Sequence, residues 1–172
     1  MRGELLDDVV RPDGRHVSRK LALRRTAVAV LVGIVLLGAV GAFGVRSGFV
    51  RTTSNGYTLT LEYPRIARAG LDVPWRVTVS NPAGFSDDLE LAVTAKYFEI
   101  FETQGFDPEP SAETADGTYR YLTFDRPPAR EFHLSYDAYI QPSSQVGEVG
   151  ELRLLEKGVP RATVRFHTWL LP

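Results

Sequence analysis

His133, Ser135 and Asp137 are the three residue types of a hydrolytic triad, placed two apart along one segment. Strand alternation puts all three on one face, with His133 and Asp137 about 13 Å apart along the backbone. A triad needs its histidine within hydrogen-bond reach of both partners, which same-face positions on one strand do not provide. No Gly-x-Ser-x-Gly turn surrounds Ser135. The trio reads as a polar outer face. Arg165 and His167 face outward from the last segment, and pairing with the His133 strand would set opposite charges across a ladder. His133 and His167 as a metal pair lack a third ligand. There is no cysteine, which excludes disulfides, zinc thiolates and cysteine nucleophiles. With no phosphate loop, His-Glu-x-x-His or carboxylate pair, no catalytic residue, metal or cofactor is assigned, and no enzyme is expected.

Glu102 to Gly117 is the most unusual stretch, with Glu102, Asp107, Glu109, Glu113 and Asp116 and no basic residue. Pro108 and Pro110 stiffen it, and its spacing fits no Asp-x-Asp-x-Asp-Gly calcium loop. An acidic loop at the end of a sandwich is where recognition is expected. The predicted partner contact is therefore Phe106, Asp107, Glu109, Glu113 and Asp116. Tyr119, Tyr121 and Tyr139, on outward strand positions, would offer rings to a sugar or a protein.

The elements that must position these residues are strands. From Gly56 onward apolar residues recur with period two: Tyr57 to Tyr63, Val73 to Val79, Leu89 to Ala95, and Phe132 to Ile140. Thr118 to Phe124, the Leu152–Leu154 segment and Ala162 to Leu170 complete seven strands, with Asn81-Pro82 marking one turn and Gly158 a hairpin. Tyr97, Ile100 and Phe101 allow one helical turn, or a bent strand, between sheets. Seven strands over residues 56–172 predict an all-β, immunoglobulin-like sandwich.

Ahead of it lies a run of 20 uncharged residues, Thr26 to Val45. As a helix it reaches about 30 Å, the thickness of a bilayer's hydrocarbon core, and so predicts a transmembrane helix. Residues 1–25 carry seven basic and four acidic residues, a balance of +3; the remaining 13 basic and 17 acidic residues follow the run, a balance of −4. Basic residues beside a span stay in the cytoplasm, so the N-terminus is expected inside and residues 56–172 outside. The mildly acidic outer part argues against nucleic acid and anionic lipid as its main partners. The long core and long leader favour an uncleaved signal-anchor, although Val40-Gly41-Ala42 also suits a signal-peptidase cut. Residues 1–25 read as a flexible tail and 46–55 as a polar linker. Gly33, Gly38, Gly41 and Gly44 permit close helix packing, but their spacing is too irregular to predict a homodimer. Arginine far outnumbers lysine, as in a GC-rich bacterium.

The phrase from Ala67 to Phe85, with Ala69-Gly70, Pro74-Trp75-Arg76-Val77-Thr78-Val79 and Asn81-Pro82-Ala83-Gly84, resembles the early strands of bacterial immunoglobulin-like modules. The resemblance covers about 20 residues and implies a spacer, stalk or binding domain. It brings no catalytic residues. The expected function is a membrane-anchored binding or structural protein that docks on another membrane or envelope protein. The alternatives are an envelope hydrolase, or a sensor reporting through the short tail.

Overall fold

The computed structural model describes residues 14–39, 44–102, 105–144 and 146–171. The chain divides into two units, Met1–Phe43 and Gly44–Pro172. In the first, helix α1 spans Gly14–Ala39. Lys20, Leu21, Ala22, Leu23, Arg24 and Arg25 are good helix formers, so the helix extends from the apolar run back into the basic flank. The flexible tail expected for 1–25 is thus helical from Gly14, while residues 1–13 lie outside the described residues. Of the span expected at 26–45, Thr26–Ala39 is helix and residues 40–43 lie outside the described residues. Among the described residues no helix is long and apolar enough to cross a membrane. Fourteen helical residues reach only about 21 Å.

The second unit is a two-sheet antiparallel β-structure. Its strands are β1 (Arg46–Ser54), β2 (Tyr57–Arg68), β3 (Asp72–Ser80), β4 (Leu89–Thr94), β5 (Phe106–Asp107) and β6 (Ala112–Ala115). They continue with β7 (Tyr119–Phe124), β8 (Glu131–Tyr139), β9 (Val149–Glu156), β10 (Val159–His167) and β11 (Trp169–Leu171). The first sheet runs β1-β2-β3-β8-β5, with β11 parallel to β2; the second runs β10-β9-β4-β7-β6. The seven strands read from alternation all form, except that the last, expected to run from Ala162 to Leu170, breaks at Thr168 into β10 and β11 of different sheets. The polar linker expected at 46–55 does not form: it is β1, paired with β2 along its whole length. Asn55 and Gly56, at φ 53° and 83°, make the left-handed two-residue turn that joins them. Val45, expected to end the span, packs against the sandwich core.

Alternation sorts the core. Leu59, Leu61, Trp75, Val77, Leu91, Val93, Leu122, Leu134, Leu152 and Leu154 are all but inaccessible to solvent. A single short helical turn, α2 (Ala95–Phe98), follows β4 and buries Tyr97 and Phe98. Trp75 lies 5.5 Å from Phe98 and 6.2 Å from Tyr136, edge-on to the latter, a geometry that aromatic quadrupoles favour. The buried Tyr97 hydroxyl lies 2.8 Å from Thr168 Oγ1, pairing the two polar groups where β10 hands over to β11. Burial pushes the Tyr97 hydroxyl well above the usual tyrosine range.

Candidate contact site

The acidic segment is a crossover between sheets rather than one loop. β5 pairs with β8 at the edge of the first sheet, and β6 pairs with β7 at the edge of the second. Four residues, Pro108 to Ser111, carry the chain between them. This separates the five predicted contact residues and gives most of them structural partners. Phe106 is half-buried, 4.6 Å from Tyr136 and 5.9 Å from Phe98, and anchors β5 to the core. Glu113 accepts from Arg120 Nε at 2.6 Å. The Arg120 guanidinium also lies 5.4 Å from the Phe98 ring and 5.6 Å from that of Phe106, a cation over two aromatic faces. Asp116 caps its turn, accepting from the Tyr119 and Thr118 amides at 2.7 and 2.8 Å and from the Tyr121 hydroxyl at 2.8 Å. The Tyr119 amide first, then the Tyr121 hydroxyl and Thr118 amide, hold the Asp116 carboxyl below its ordinary value. Asp107 and Glu109 are exposed.

Glu109 opens onto a cleft of about 500 Å³ that the sequence did not reveal. One wall is Pro108, Glu109 and Ser111 of the crossover; the other is Asp125 to Ala129, the loop from β7 to β8. Phe124 and Phe132, 4.9 Å apart, also line it, with Glu131 and His133 at its rim. Pro108, Pro127 and Pro128 make the walls apolar and stiff, and none offers a backbone donor. Asp88 Oδ1 pins the loop by accepting from the Arg126 amide at 3.0 Å, and Ser111 N donates to Thr123 O at 2.8 Å. The cleft is therefore built of pinned segments. Strand register places it in the sandwich: Glu131 stands opposite Ser80, Ser80 opposite Thr58, and Thr58 opposite Thr53. It sits beside the β1–β2 turn, at the end away from Arg46. The Pro127-Pro128 pair was the available signal, a marker of a stiff loop between strands.

The residue types of a triad stay apart. His133 Nδ1 lies 3.2 Å from Thr78 Oγ1, and its Nε2 is 3.8 Å from Glu131. Ser135 Oγ is 3.4 Å from the Asp107 carbonyl. Arg165 and His167 do not face that strand, because β10 pairs with β9 in the other sheet. The expected charge ladder between the two is thus corrected by topology. The His167 ring instead lies 4.3 Å from that of Trp169, tilted by 54°. Among the described residues no group of three or more His, Asp or Glu is placed to hold a metal ion.

On the outer face of the second sheet, Glu151 is a hub. Its side chain is 12% exposed, and Arg153 Nε and Arg165 Nε each donate to it at 2.6 Å. The Tyr119 hydroxyl donates at 2.9 Å, while the Arg153 guanidinium covers the Tyr119 ring at 4.4 Å. Burial alone would raise the Glu151 carboxyl, but the hydrogen bonds from Arg165, Tyr119 and Arg153 together hold it below its ordinary value. Tyr119 and Tyr121 are outward, as their positions predict, but their hydroxyls are committed to Glu151 and Asp116. The chain matches no protein-family model and no curated protein.

Proposed function

We propose that this is a single-pass membrane protein, N-terminus inside, that displays an immunoglobulin-like sandwich and docks another membrane or envelope protein in the proline-walled cleft. The anchor rests on the uncharged run from Thr26 to Val45 and the basic residues before it. Past Arg25 the described part of α1 carries no charge, and its large apolar side chains from Val28 to Leu36 are 49–61% exposed. A helix apolar all round needs an apolar surrounding.

The immunoglobulin-like reading rests on strand order. Of the seven strands read from alternation, the first, second and fifth share one sheet, and the seventh, sixth, third and fourth share the other. That is the constant-type arrangement with its fourth strand moved to the opposite sheet.

The observation that carries the docking role is the cleft itself: apolar, stiff and at the end of the sandwich away from Arg46. Its rim holds Glu109, Asp125 and Glu131 against Arg126 and His133. The fitting partner segment is an apolar side chain flanked by basic residues. A photo-crosslinking amino acid at Glu109 tests this in native membranes, with one at Arg51 as control. A single membrane or envelope protein captured at Glu109 and absent at Arg51 supports the reading. Equal labelling at both positions, or none at Glu109, overturns it.

A further inference from the structure

We infer that the end of the sandwich opposite the cleft is a second contact surface, a Trp–Arg patch that rests in the headgroup layer of the bilayer. Strand register assembles it. Trp169 of β11 stands opposite Ile66 of β2, and Ile66 stands opposite Arg46 of β1. The next step along, Leu171 stands opposite Arg68. Between these rows, Leu170 packs on the core and its partner Ala67 is buried. By the pleat, Trp169, Ile66 and Leu171 point the other way, outward. Trp169 is 60% exposed and Leu171 39%, and Arg46 is exposed beside them.

The placement is no accident of a strand end. Gly147 packs under the corner that turns β10 into β11, where an added Cβ would fall 1.8 Å from the Thr168 carbonyl oxygen. The buried Tyr97–Thr168 hydroxyl pair fixes the same corner from inside. Trp169 is thus held outward by its neighbours on both sides, and with only the His167 ring against it, 60% of the indole stays exposed, a costly position for so large an apolar group.

The occupant follows from where the patch lies in the chain. Arg46 is the residue after Val45, which ends the apolar run and already packs on the sandwich. On the membrane-anchor reading, which this inference requires, the patch stands at the height of the lipid headgroups. Tryptophan and arginine are the residues that suit that layer: the indole takes the interface, and guanidinium groups meet phosphates.

The test uses the full chain in vesicles of phosphatidylcholine and phosphatidylglycerol. Trp75 and Trp169 are the only tryptophans, and Trp75 is wholly buried, so subtracting the emission of a Trp169→Phe variant isolates Trp169. Phosphatidylcholine brominated near the glycerol end of its acyl chains should quench that component by about half and leave Trp75 unchanged. Aqueous iodide should reach Trp169 in detergent-free vesicles far less than an exposed indole in water. If the bromolipid has no effect and iodide still quenches, the inference fails while the anchor stands. If Trp169 is shielded from both, a protein or a second copy covers the patch, and the lipid assignment is equally overturned. If alkaline carbonate strips the chain from the vesicles, the anchor itself fails and the patch with it.

Discussion

Glu151 takes donors from two other strands of its sheet, Arg165 on the adjacent β10 and Tyr119 on β7 across β4, together with Arg153 from β9 itself. Arg165 is 80% exposed, so its share is screened and small, whereas the nearly buried carboxylate loses three donors at once if it is removed. The sign of the pH dependence follows from the direction of its shift. Glu151 binds its proton less readily in the folded chain than in the unfolded one, whose carboxylate titrates near 4.5. Its contribution is therefore fully present above that value and is lost as pH falls through the lower, folded value. Glu151→Gln should cost about 1 kcal/mol at neutral pH and shrink the loss of stability between pH 5 and pH 3, by about the same amount. Urea unfolding of both proteins at three pH values measures it; parallel curves for the two would refute the assignment. Nothing in the sequence marked this residue. Alternation places Glu151 on an outer face, but its partners come from strands 32 residues upstream and 14 downstream, and only the order of strands within the sheet joins them.

At the scale of elements, what was legible followed from burial. β3 and β8 each bury one face against the core, so their alternation is complete, and both were read within a residue or two. β1 was missed because it is an edge strand whose outward positions dominate: Arg46, Ser47, Phe49, Arg51 and Thr53 are exposed, and only Gly48 is buried. Its signal was the Asn55-Gly56 turn, which announces a hairpin and so a strand on each side. β5 and β6 have two and four residues, too few to show any period. Of the predicted contact residues, only Glu109 lines the cleft, because Phe106, Glu113 and Asp116 serve the edges that the crossover joins. Two glycines test this reading of elements, each for its own reason. Gly56 has open space around it but a φ of 83°, so Gly56→Ala should cost about 1 kcal/mol through backbone strain alone. Gly150 has no such φ, but a Cβ there would lie 2.4 Å from the Phe166 ring. That ring is wedged between Tyr97 at 4.7 Å and Tyr63 at 5.2 Å and has nowhere to go. Gly150→Ala should cost about 2–3 kcal/mol by overpacking. Denaturant midpoints rank the two, and the reverse order would show that β9 and Phe166 repack freely.

At the scale of the molecule, the two proposed contact surfaces lie at opposite ends of the sandwich. The cleft lies by the Asn55-Gly56 turn, while Arg46, Ile66 and Trp169 gather at the other end. Val45 packs on the core and β1 begins at Arg46, so the stretch that reads as a polar linker belongs to the sandwich itself. On the proposed membrane-anchor reading, a tether added at this junction would let the cleft stray further from the bilayer. The consequence is testable without touching either surface. Eight Gly and Ser residues inserted between Gly44 and Val45 would add a flexible tether of about 16 Å. The insertion breaks no pairing of β1 with β2, so stability should change by less than about 0.5 kcal/mol. Partner capture at Glu109 should fall about tenfold, because a tethered domain reaches a fixed partner in only a fraction of its positions. Quenching of Trp169 by brominated lipid should fall with it. Unchanged capture with lost quenching would mean that the cleft finds its partner without help from the membrane. The two ends would then act independently, and the added tether would matter to the lipid contact alone.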